Sequence, residues 1–75
     1  MFDSDFPPKL KAFLEADKRK IDAAVDYRNA LSEFWNDSAA ENRERLRRTE
    51  RTYLKERDAA ERALHEWKAE QRAKE

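Results

Sequence analysis

From Pro8 onward, large apolar side chains return at steps of three, four and seven: Leu10, Phe13, Leu14, Ile21, Ala24, Val25, Leu31, Phe34 and Trp35, with Tyr27 at the edge of the same face. That spacing predicts a long amphipathic helix. Phe6 and Pro7 each precede a proline and are pushed out of the helical region, while Pro8 suits a first helical position because its missing N–H would be unpaired there. Helix 1 is therefore expected over residues 8–36, behind an N-terminal arm of residues 1–7. Asn36-Asp37-Ser38 is the next punctuation, since these side chains compete for their own backbone. Ser38 and Glu41 have the spacing of a capping box, which predicts a turn at 37–38 and a second helix over 38–71, with 72–75 as a frayed tail.

The second helix carries a thinner stripe: Leu46, Tyr53, Ala60 and Trp67 at every seventh position, supplemented by Leu54, Ala63 and Leu64. The expected fold is all-α, a two-helix antiparallel hairpin forming a single domain. One uninterrupted helix is the rival, because Asn-Asp-Ser is a weaker break than glycine or proline.

Charges interrupt both stripes: Asp17 and Arg28 on the first helix, Glu50 and Arg57 on the second. Folding about residue 37 sets Asp17 opposite Arg57 and brings Arg28 within about a turn of Glu50. Pairs of opposite sign on a seam are expected to fix register rather than to add net stability.

The apolar supply is lopsided. Residues 1–37 hold 12 of the 17 large apolar side chains, so helix 1 has more to bury than helix 2 can cover. A second copy would supply the cover, giving a homodimeric four-helix bundle whose seam uses Leu10, Phe13, Leu14, Ile21, Val25, Leu31, Leu46, Tyr53, Leu64 and Trp67. At the other end Phe2 and Phe6 are expected to fold over Leu10, Leu64 and Trp67. The mismatch is greatest at the turn, where Phe34 and Trp35 are followed by Arg43 and Arg47. Clustered aromatics beside arginines are what interface hot spots contain, so these four residues are the candidate contact with a protein partner.

Composition narrows the chemistry. Glycine and cysteine are absent, 45% of residues are charged, and 17 basic residues balance 17 acidic ones. Phosphate-cradling glycine loops, disulfides and thiolate chemistry are excluded, and zero net charge argues against a general electrostatic binder. Asp3 and Asp5 stand where a signal peptide would need positive charge, and no apolar run approaches a membrane span; the amphipathic first helix has acids breaking its basic face, so no membrane association and a cytoplasmic location are expected.

Helix 2 opens with seven basic residues against four acidic ones between Glu41 and Arg57. Arg47, Arg51 and Lys55 share a face that would suit a phosphate backbone, making nucleic-acid binding the alternative function and a structural coiled-coil scaffold a third. The interleaved acids favour a solvated helix laced with ion pairs. Glu61 and His65 have metal-ligand spacing but leave half a coordination sphere empty, and the pairs Asp22/Asp26 and Glu66/Glu70 lack any sign of a desolvating pocket. No catalytic residue, metal or cofactor is expected. In general form the chain resembles the compact helical hairpins often encoded by phages and mobile elements. That likeness is architectural; it implies a non-enzymatic protein that binds and inhibits or redirects another, and it assigns no residue a role.

Overall fold

The computed structural model describes residues 6–74, which form two helices, α1 (Pro8–Asn36) and α2 (Ala40–Lys74), folded back on one another as an antiparallel hairpin. The proposed fold-back of Phe2 lies outside the described residues, as do the first five residues of the arm and Glu75. Pro8 occupies the first turn of α1, whose earliest capping bond runs from the Lys11 amide to the Pro7 carbonyl, 2.9 Å. No described helix is long and apolar enough to cross a membrane.

The turn is built differently from the capping box read in the sequence. The Asp37 carboxylate, rather than Ser38, accepts the Ala39 amide at 3.2 Å, and Asn42 donates its side-chain amide to the Asp37 carbonyl at 2.8 Å. Asp37 also closes α1, its extended backbone donating to the Glu33 carbonyl at 2.9 Å. One residue thus serves both helix ends, and α2 starts two residues later than Ser38. It also runs on to Lys74, with Arg72 and Lys74 in the last turn beside the unpaired carbonyls that attract cations.

Among the described residues three ion pairs cross between the helices: Lys9 with Glu66 at 3.5 Å, Arg19 with Glu56 at 3.3 Å, and Glu33 with Arg45 next to the turn. They set residue i of α1 level with a residue about 76 minus i on α2. The pairs expected to do this are not the ones formed. Asp17 binds Lys20 on its own helix at 3.0 Å, and Arg57 lies 3.7 Å from its neighbour Asp58.

Among the described residues only alanines are buried: Ala16, Ala23 and Ala30, one heptad apart on α1, and Ala60 on α2. Phe13, Lys20, Tyr27 and Phe34 flank them on α1, facing Leu46, Tyr53, Ala60 and Trp67 on α2, and all the larger ones are half-buried. Tyr27 and Tyr53 stack across the seam. The reason is steric. Small side chains let two long helices approach closely over their whole length, whereas leucine or isoleucine at the same positions would hold them apart. The residues expected to form the seam are divided accordingly: Leu10, Phe13, Leu46, Tyr53, Leu64 and Trp67 are half-buried, but Leu14, Ile21, Val25 and Leu31 remain 41–53% exposed.

The result is a slab measuring 53 × 26 × 12 Å. Its thickness is that of one helix, about 10–12 Å. A globular chain of this length has a radius of gyration near 11 Å; this one has 16.4 Å.

Candidate protein-interaction surface

Because each helix has one neighbour, each broad side of the slab takes side chains from both helices. One side is a polar belt. Its cross-helix pairs join Arg19 to Glu56 and Glu33 to Arg45, and between them Asp26 lines a shallow depression with Arg45, Arg48, Thr49 and Thr52. Thr49 and Thr52 return their hydroxyls to carbonyls of the preceding turn, Thr49 to Arg45 at 2.9 Å and Thr52 to Arg48 at 3.1 Å. Arg19, Glu56, Glu33 and Arg45 are thus paired across the helices, while Asp26 and Arg48 form no ion pair among the described residues.

The opposite side of α1 is apolar. Leu14, Ile21, Arg28 and Trp35 repeat every seven residues, and Val25 and Leu31 lie beside that row. All are exposed, Trp35 at 84%. At the turn end Arg28, Leu31, Ser32 and Trp35 line a recess of about 380 Å³; at the other end Phe6, Lys11, Leu14, Glu15 and Lys18 line one of about 260 Å³. On α2 the same side is mostly charged: Arg47, Glu50 and Arg51 surround Leu54, which is itself exposed at 36%.

The four residues expected to meet a partner are not one cluster. Phe34 and Trp35 are successive on a helix and so point about 100° apart. Phe34 is half-buried toward α2 while Trp35 stands in solvent, with Arg43 and Arg47 exposed on α2. Sequence reasoning missed Arg28 and Ser32 as its companions, although their spacing from Trp35, seven and three, places them on one face. It also missed the alanine heptad, which the repeat of Ala16, Ala23 and Ala30 carried openly.

Arg28 and Glu50, expected to approach one another, form no ion pair among the described residues. Arg47, Arg51 and Lys55 are exposed, with Glu50 set between the first two. Glu66 is engaged by Lys9 and Glu70 by Lys74 at 3.3 Å, so neither acid of that pair stands alone. Among the described residues no three potential ligands gather around a metal position. The chain matches no protein-family model, no curated protein and no solved structure.

Proposed function

We propose that this hairpin is a non-enzymatic interaction protein, cytoplasmic, that binds another protein through the Trp35 end of the apolar α1 face and modulates it, inhibition being the expected sense. The supporting observation is Trp35 itself, 84% exposed beside Leu31 and Arg28 at the rim of an apolar recess. A large aromatic in water gains most by entering a partner's pocket, and an arginine at the rim, here Arg28, orients it on an acidic surface, with Arg43 and Arg47 exposed on α2 to add to that attraction. Pairing of two hairpins into a four-helix bundle belongs to the same reading, because a slab one helix thick leaves this face uncovered.

The test is affinity capture from nuclease-treated lysate with three baits: the native chain, Trp35→Ala and Arg19→Ala, the last altering only the polar belt. Circular dichroism first establishes equal helicity. One stoichiometric protein retained by the native and Arg19→Ala baits, lost with Trp35→Ala, and altered in activity when titrated with the purified hairpin is the expected result. Capture indifferent to Trp35, or no protein from treated lysate with nucleic acid recovered from a parallel untreated one, overturns it.

A further inference from the structure

Taking the α1 face as an interaction surface, as proposed above, we infer that a second copy of the chain covers it in the absence of a target, with α1 packed antiparallel on α1 about a two-fold axis between Ala24 and Val25. Area favours this occupant. The chain exposes 6187 Å² at a mass of 9.0 kDa, whereas a folded monomer of that mass exposes about 4,900 Å². The excess, roughly 1,300 Å², is more than the roughly 800 Å² each partner contributes to a standard interface. With alanine the largest buried side chain among the described residues, the single hairpin has little core of its own.

The stripe is arranged to match itself when reversed. Leu14 and Trp35 lie at its ends, 21 residues or about 32 Å apart, each beside a recess. Reversal about the two-fold lays each Trp35 over the recess formed by Phe6, Leu14 and Lys18 of the other copy. It puts Ala24 against Ala24 and Val25 against Val25 at the axis, and sets Ser32 level with Lys18. Arg28, which has no ion-pair partner among the described residues, then lies across from Ile21 with Asp17 of the second copy one turn away. Parallel pairing would instead stack Arg28 on Arg28 and Lys18 on Lys18. Placing α1 on the second copy's α2 would press the apolar row onto Arg47, Glu50 and Arg51. Trp35 then serves two contacts in turn, so a target binds the dissociated chain.

Sedimentation equilibrium from micromolar to sub-millimolar concentration reads the association, and the chain's lack of cysteine permits a direct test of its direction. A dimer is expected, weakened about a hundredfold by Trp35→Ala or Leu14→Ala because each substitution removes a contact twice, and left unchanged by Arg19→Ala. In an oxidised mixture of Lys18→Cys and Ser32→Cys chains, the mixed disulfide is expected to exceed both homodisulfides. A monomer at every concentration, a dimer insensitive to Trp35 and Leu14, or a majority of homodisulfides overturns the pairing. If the chain is monomeric yet still loses a captured target on Trp35→Ala, the pairing fails and the binding of a target through Trp35 stands.

Discussion

The rings of Tyr27 and Tyr53 stack across the helix seam with centroids 5.9 Å apart and planes inclined by 28°. The contact lies near the middle of both helices, where it ties the register set by the flanking ion pairs to apolar contact. An aromatic pair contributes about 0.5–1.5 kcal/mol beyond the area it buries. Tyr53→Ala is therefore expected to cost about 1–3 kcal/mol in urea unfolding followed by circular dichroism, with Tyr53→Phe close to native. Equal stability of the alanine variant would show that the rings do not hold the helices together.

Size matters at the alanine heptad in the direction opposite to an ordinary core. Ala23→Leu is expected to destabilise the hairpin by about 1–3 kcal/mol through overpacking. Leu14→Ala, measured at a dilution where the chain is monomeric, should lie within about 0.5 kcal/mol of native. Thermal unfolding of the two variants decides which face of α1 meets α2; the reverse order would place Leu14 in the seam.

Charge exchange reads the register. The coupling between Arg19 and Glu56, obtained from a double-mutant cycle with Arg19→Glu and Glu56→Arg, is expected to be about 0.2–1 kcal/mol, as for exposed pairs, and to shrink with added salt. The same cycle on Asp17 and Arg57 should give no coupling, because each already has a partner on its own helix. A rescue of Asp17→Arg by Arg57→Asp would indicate a different register.

At the turn, Asp37→Ala removes the acceptor for the Ala39 amide. That bond is an exposed Asx turn leading into α2, and its loss is expected to cost about 0.5–1.5 kcal/mol. Ser38→Ala is expected to be near neutral in the same denaturation experiment, and the opposite ranking would restore Ser38 as the cap.

The hairpin was legible in the sequence because its signals are local. Pro8 admits a first turn, Asn36-Asp37-Ser38 stops the helix, and the seven-residue repeats of Tyr27 with Phe34, and of Tyr53 with Trp67, mark the facing sides. Which neighbour took the inner position was less legible. The apolar band of α1 is wider than one partner can cover, and hydrophobicity alone ranks Leu14, Ile21 and Val25 above Ala16, Ala23 and Ala30. The deciding quantity was the approach distance of two long helices, which favours small side chains and is a property of the pair. For the same reason the seam charges misled: Lys20 stood one turn from Asp17, and a partner on the same helix needs no register at all. The exposure of Trp35 was legible from its position past the last good partner on α2, whereas the half-burial of Phe34 follows from the rotation of about 100° between successive residues.

The level pairing of α1 with α2, residue i beside about 76 minus i, also governs how the chain assembles. Contacts nearest the turn close the shortest loops, as Glu33 and Arg45 do across 12 residues, while Arg19 and Glu56 are separated by 37. Each further contact enlarges a loop that is already closed, at little added entropic cost. Zippering from Asp37 outward is the route of least resistance, and the open end carrying Pro8 and Glu70 is the last to form and the first to fray. Pulling on that end should peel the hairpin apart gradually, layer by layer, instead of breaking it in a single event.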